Sequence, residues 1–532
     1  MKWPCIFWCV SIFLFAKGIE LKAQMVSHDI NKRSVYEFLD EMANLQLIEV
    51  NTLVQPYSRQ FIAQKLKELD TLNLTKRQKT ELTFFLKDFK KESVNKKFKG
   101  KRYDFVYHSD STFKLTINPI IGGSYTLNEN GNYWHRWWGG ELYGSFGEKW
   151  GFYASLRDQL ESNQYLGENY LHRRNGAVYK GSGDFSDFRG GITYQHKKVS
   201  VGLIKDLFSW GNHQFGSNVF STKAPSFTRF NLKVEATEWL SLHYFHGWLN
   251  SEVLDSSKSY NSGVLDRKVM VPKFIAANYI SIRPLPKLYF SIGNSIVYSD
   301  QFHPAFLIPI AFYKSLDHAI YAGGGNVGGA NTQLFMDISS RNIKHLHLYG
   351  SLYIDELSFS RMWKKDKHSN FVSAKFGAQW SNLLNSNFTL SGEATITNPM
   401  AYRHFVNTTT FASNQYTLGH YLGDNAFTYT VQVDYRPISR LKCSVGAEHV
   451  TKGNIYAYTE NGEDVWGLDF QENVVWKKRE FYTNLRYELI NDLFLSARYS
   501  YTDISGSLVS FYTPKLLQNA SHNLSLSLNL GF

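Results

Sequence analysis

The apolar positions of this chain change period once. Between about residues 31 and 99 they recur every three to four places. Val35, Phe38, Leu39, Met42 and Leu45 share one helical face, Phe61, Ile62, Leu66 and Leu69 a second, and Leu82, Phe85, Leu86 and Phe89 a third. Ser34-Val35-Tyr36-Glu37 and Thr75-Lys76-Arg77-Gln78 have the spacing of capping boxes, and Pro56-Tyr57-Ser58 opens the middle helix. From about residue 103 the period is 2. Leu524, Leu526, Leu528, Leu530 and Phe532 point one way; Ser525, Ser527, Asn529 and Gly531 point the other. The alternation recurs at Phe113-Leu115-Ile117, Leu346-Leu348-Gly350-Leu352-Ile354 and Leu441-Cys443-Val445-Ala447, which makes Cys443 a small hydrophobe rather than a reactive thiol. Apolar on one face and small or polar on the other suits a strand between lipid and a wet lumen.

Connector lengths carry a second regularity. Short turns are expected near Glu148-Lys149, His196-Lys197, Thr237-Glu238, Arg283 to Pro286, Asn342, Leu383 to Asn385, Arg436-Pro437 and Asn491-Asp492. Long connections lie between them, near 159–187, 207–226, 250–272, 298–330, 355–370, 397–426, 450–477 and 503–519. Short–long alternation is how a bacterial barrel distributes periplasmic turns and extracellular loops, and the pattern predicts a transmembrane antiparallel β-barrel of about 18 strands after a small N-terminal helical domain.

Composition removes the competing classes. Hydrophobic residues are 43% of the chain, too many for disorder. No apolar run of about 18 residues follows the first two dozen positions, so a bundle of spanning helices is excluded. Lys2 and the apolar run Cys5 to Phe15 look like a signal peptide, with Leu21-Lys22-Ala23 before a cleavage point. Trp8 before Cys9 and Pro4 before Cys5 speak against a lipoprotein. The expected organisation is a signal peptide over 1–23, a periplasmic helical domain over 24–102 and an outer-membrane barrel over 103–532. Cleavage leaves Cys443 alone, so no internal disulfide is expected. Phe532, closing an alternating face, resembles the signal read by barrel-insertion machinery. The net charge is +12, and Lys87 to Arg102 holds eight basic residues against two acids. That run reads as a solvated face, or as a site for lipid headgroups or another acidic partner. No nucleic-acid motif accompanies it.

Sugar binding needs flat apolar faces and planar hydrogen-bonding groups. Asn132 to Trp138 offers both, with Trp134 and Trp137 as stacking candidates, and an interfacial aromatic girdle as the other reading. Asp206, Trp210, Asn212, His213 and Gln214 form a second group on a long loop. Arg173 and Arg174 could pair with uronate or phosphate groups, or simply lie on a solvated loop. His345 and His347, two apart on an expected strand, share a face; two His make a weak metal signal, and lumen-facing polar residues explain them better. No local motif singles out a hydrolase, and no cofactor or metal is expected.

Trp210-Gly211 followed by Ala224-Pro225-Ser226-Phe227, with Leu334, Asp337, Leu348-Tyr349-Gly350 and Ile354-Asp355-Glu356 in the later run Asn331 to Glu356, resembles the Wzi family of outer-membrane capsule-assembly proteins. The resemblance implies a non-enzymatic surface lectin that binds exported capsular or exopolysaccharide and attaches it to the cell. It also implies helices that occlude the periplasmic end of an approximately 18-stranded barrel. The chain departs from the family in long Gly- and aromatic-rich loops, notably Tyr321 to Ala330, and in a Tyr- and Asn-rich C-terminal third. Related barrels associated with gliding motility share the architecture, and a diffusion porin is a further alternative.

Overall fold

The computed structural model describes residues 26–93, 101–162, 167, 169–264, 266–321, 329–384, 387–458 and 465–531. The expected signal peptide, Phe532, most of Tyr321 to Ala330 and the middle of the basic run lie outside them. Eighteen antiparallel strands, from Phe113–Asn128 to Asn519–Leu530, each pair with their chain neighbours and close into a barrel. The seam joins last strand to first, from Asn523 opposite Asn128 to Leu530 opposite Ile121. A short strand, Val106–Ser109, continues that edge by pairing with Lys114 to Ile117 of the first strand. Short turns gather at one end of the barrel. Long connections gather at the other, with one two-residue exception between Asn128 and Gly131.

Side-chain alternation sorts the wall as the period-2 pattern requires. Ile121, Leu156, Ile192, Leu203, Val431, Val445, Leu526 and Leu528 are exposed on the outside, and Trp138, Trp239, Trp248 and Trp380 join them as exposed aromatics. Asn118, Asp337, Glu393, Glu448 and Glu480 are buried on the inside. An apolar outer band with aromatics and a polar interior is the surface of a lipid-embedded barrel.

Three helices precede the barrel: α1 (Arg33–Asn44), α2 (Arg59–Asp70) and α3 (Lys76–Phe89). They share a core that includes Phe38, Leu39, Met42, Ile62, Leu66, Leu82 and Phe85. Ser58 caps α2 through the Phe61 amide, and Thr75 with Gln78 closes the expected capping box on α3. The box expected at Ser34 does not form. α1 starts two residues earlier with Lys32 at its cap, and Glu37 points instead to Arg436, Lys442 and Arg486 of the barrel wall.

Such pairs seat the helices on the short-turn end. Lys32 reaches Glu141 at 2.9 Å and Asp492 at 3.0 Å, Glu49 meets Arg283 at 2.6 Å, and Asp40 meets Arg341 at 3.0 Å. The basic run is only partly what the sequence suggested. Lys91 and Arg102 are not solvated: each is buried, Lys91 against Asp88 and Asp104, Arg102 against Asp492.

Burial alone would raise the Glu37 carboxyl, but Arg486, Lys442 and Arg436 outweigh it and hold the group well below the usual carboxylate range. Its contribution to docking is therefore complete above about pH 4.3 and is lost as pH falls toward the lowered value. Glu37→Gln should cost about 1–3 kcal/mol, because Arg486 loses its carboxylate while Arg436 keeps Glu41 and Lys442 keeps Asp434. Protection of the α1 amides, taken relative to the intrinsic exchange rate at each pH, should fall in this variant at neutral pH and in the parent at acid pH. Unchanged protection in both would remove Glu37 from the docking interface.

Candidate functional site

The connection between Val199–Asp206 and Phe227–Glu235 turns into the lumen instead of outward. Its Ser209–Trp210 pairs antiparallel with Val54–Gln55 of the N-terminal region. Trp210 is 4% exposed, with Phe245 at 5.0 Å, Phe220 at 5.4 Å and Tyr279 at 5.7 Å between ring centroids. The expectation of a surface stacking platform is corrected here, because neighbouring rings occupy its surroundings.

Residues around it fasten the loop. Gly211 turns with φ +95°, and a Cβ there would meet the Ser217 hydroxyl at 3.0 Å. The Asn212 amide N–H donates to Asp337 at 2.9 Å, its side-chain amide donates to the same carboxylate, and its Oδ1 accepts from the Thr52 hydroxyl. Asp206 accepts from the Tyr153 hydroxyl at 2.8 Å. His213 pairs through Nδ1 with the Gly211 carbonyl at 2.8 Å, and burial pushes its ring down to about 4, so it is neutral at neutral pH. The Gln214 N–H donates to Glu393 at 2.7 Å, and Glu393 is itself paired with Lys375 at 2.7 Å. Phe411, Leu418 and Tyr402 of the 398–425 connection complete the same core, which reaches from Leu53 to the long-loop end. Trp210→Ala should destabilise the barrel by about 3–5 kcal/mol through the cavity it leaves. Thermal unfolding of the heat-modifiable form reads that cost; an unchanged midpoint would contradict the packing.

Beside this plug lies a charged cavity of about 620 Å³. Glu37, Asp40 and Glu41 of α1 border it, as do Arg173, Arg174 and Phe215 from the long connections. Arg173 donates to Glu448 at 2.5 Å and Thr430 at 2.6 Å, and lies 5.0 Å over the Phe215 ring. Arg174 donates to the Tyr133 hydroxyl at 3.2 Å. Both arginines thus have partners in the lumen; Arg173 is half-buried, whereas Arg174 stays exposed, as a solvated position would be.

Trp134 and Trp137 fall on opposite faces of Gly131–Phe146. Trp137 faces inward, tilted against His135 at 4.8 Å and filling the space over Gly122. Trp134, of the other parity, lies outside with the Arg136 guanidinium 5.6 Å from its ring. His345 and His347 do not share a strand face either. His345 is a turn residue with φ +75°, whereas His347 points inward to Ser339 at 2.8 Å and Arg341 at 3.1 Å.

A second cleft, of about 530 Å³, opens at the long-loop end. Asn169, Asn250, Asn407 and Gln415 offer exposed amides from three connections, and the Phe511 ring is 49% exposed beside them. Arg403, Lys273 and Lys452 line it as well, with Arg403 and Lys452 paired to Asp424, and Glu252 stands beside them, so the cations exceed the acids. Lys223 donates to the carbonyls of Tyr170 at 3.1 Å and His172 at 3.2 Å; burial first and Arg174 second push it down to about 7. Planar amides and one open aromatic face are what a pyranose needs, and the cations suit acidic sugars. The sequence offered no local motif for this cleft, since its residues are scattered over the loops.

Among solved structures, the chain is similar to Wzi, an outer-membrane protein involved in group 1 capsule assembly in Escherichia coli and a carbohydrate-binding β-barrel. The match covers 96% of this chain and 100% of that one, with a TM-score of 0.59 and 11% identity. The fold is shared with Wzi. The resemblance read from the residues therefore extends along the whole barrel and its preceding helices, as a likeness of fold. OprD of Pseudomonas aeruginosa matches at a TM-score of 0.42 and 11% identity over 81% of this chain and 94% of its own. OccAB4 of Acinetobacter baumannii matches at 0.43 and 10% over 79% and 97%. No protein-family model and no curated sequence matches the chain.

Proposed function

We propose that this barrel sits in the outer membrane of a Gram-negative bacterium, binds exported capsular or exopolysaccharide at its long-loop end, and attaches it to the cell surface. In this reading the short-turn end and the N-terminal helices face the periplasm. The observation that carries the reading is the long-loop cleft, where exposed amides, the Phe511 face and cations converge. The shared fold with a carbohydrate-binding barrel supports it. The plugged lumen favours holding a ligand at the rim over passing solutes through.

Phe511→Ala combined with Asn407→Ala and Gln415→Ala should leave the amount of folded barrel unchanged. Cell-associated polysaccharide should fall, with the lost material recovered in the medium, and glycan binding by the purified protein should weaken. Full retention together with unchanged glycan binding would sink the cleft as the site. A deletion strain that keeps its surface polysaccharide but loses surface spreading would move the reading to motility.

A further inference from the structure

One long connection behaves unlike the others. After Leu288–Ser299, residues 300–320 fold back over the outside of the wall. The inner core contains Phe245, Ile275, Ala277, Tyr279 and Val297, which touch the plug around Trp210. Their strand neighbours Tyr244, Phe274, Ala276, Ile296 and Tyr298 point the opposite way by alternation, and these are covered by Phe306, Ala311 and Tyr313.

The covered wall carries two asparagines where lipid-facing residues belong. Asn278 and Asn294 are 3% and 9% exposed, paired with one another across adjacent strands. Tyr244 stands opposite Asn278, between exposed Trp239 at the short-turn end of its strand and exposed Trp248 near the other. Nine residues along a tilted strand span roughly the 25 Å height of a barrel's apolar band, which places the asparagines near mid-depth. The Asn294 side-chain amide donates to Asn278 Oδ1 at 2.8 Å, but without the connection the Asn278 side-chain N–H groups and the Asn294 Oδ1 would face hydrocarbon at that depth.

The connection supplies those partners and is supplied by them. The Ala311 carbonyl accepts from Asn278 at 2.9 Å and Asn294 at 3.2 Å, and the Tyr313 N–H donates to Asn294 at 2.8 Å. The Phe306 carbonyl accepts from the Tyr244 hydroxyl at 3.0 Å. Local turns engage the N–H groups of Phe306, Ile308 and Ala311. Pro304 and Pro309 bring no N–H at all. Residues 302–312 contain no charged side chain, and their outer surface shows Phe302, Leu307, Ile308, Ile310 at 70% exposure and Phe312. That surface continues the band of Phe290, Ile292 and Ile338 on the same wall.

We propose that residues 302–313 form a membrane-embedded flap, held against the outer wall by Tyr244, Asn278 and Asn294, whose exposed face is covered by lipid acyl chains. Low backbone polarity and continuity with the lipid-facing band favour lipid over water or a second protein. The flap rests on the barrel spanning a bilayer and is independent of what the long-loop cleft binds.

The test uses the full chain with Cys5, Cys9 and Cys443 replaced by Ser, reconstituted in phosphatidylcholine vesicles. A nitroxide is attached at position 310 (Ile310→Cys), and its relaxation by oxygen and by a water-soluble nickel chelate is measured. Labels at Ile292→Cys and Asn407→Cys serve as band and loop references. High oxygen and low nickel access at position 310, matching position 292, is the expected result. Nickel access equal to that at position 407 would make the segment an aqueous loop and overturn the proposal. Poor access by both relaxants would mean that protein covers the face, which also overturns it. Nickel access at position 292 would instead defeat the spanning barrel itself. In the Asn278→Leu, Asn294→Leu double variant the label at 310 should move toward the nickel phase while the barrel stays heat-modifiable; an unmoved label would refute the asparagine latch.

Discussion

A chain lacking residues 31–99 is expected to conduct little more than the intact protein in planar bilayers. Conductance should rise by on the order of tenfold only when residues 211–219 are also replaced by a short Gly-Ser link. The family resemblance implied that the helices occlude the periplasmic end of the barrel. The structure adds a second barrier, because the 207–226 and 398–425 connections fill part of the lumen with their own core. That core is held by Asp337 and Glu393, both of which remain after the helices are removed. A large conductance from the helix deletion alone would show that the inner loops let go without their contact to Leu53 and Val54.

Leu528→Arg should reduce the heat-modifiable barrel, because a cation on the lipid face costs up to about 2–4 kcal/mol, the more the nearer it lies to mid-depth. Leu528 is exposed on the outer band, opposite Leu495 and Gly123. Ser527→Arg, one residue away and of lumen parity, should retain the barrel. Equal yields of the two variants, read by gel mobility with and without heating, would reverse the assignment of faces.

The parts legible in the sequence are those set by local rules. Alternation at Leu524 to Leu530 reports lipid on one face, and turn residues mark the short end because hairpins fix their own geometry. Thr75 and Gln78 announced α3 because a capping box closes within four residues. The interior was not legible in the same way. Trp210 in a long loop reads as an open face until Leu53, Phe245 and Tyr279, distant in the chain, are brought around it. Arg173 reads as solvated until Glu448 arrives from another strand. Lys375 and Glu393 escaped notice, although charged residues at inward positions of strands were a usable signal. The long-loop cleft was illegible for another reason, since single amides in separate connections have no spacing to detect. Phe302 to Phe312 was readable in part: an uncharged apolar run inside a presumed aqueous loop is a contradiction that only a hydrophobic surrounding resolves.

The pairing of Val54–Gln55 with Ser209–Trp210 inside the barrel, together with a seam that joins last strand to first, constrains the order of assembly. A closed cylinder cannot easily admit an extended segment and a packed aromatic cluster through its mouth. The N-terminal segment and the inward loop must therefore meet while the sheet is still open, with Asn519–Leu530 not yet joined to Phe113–Asn128. The plug is then a mandrel around which the sheet curls, and the seam is the final stitch. On this route the sheet carries two bare edges while the plug forms, and that open form is the one an insertase would have to hold.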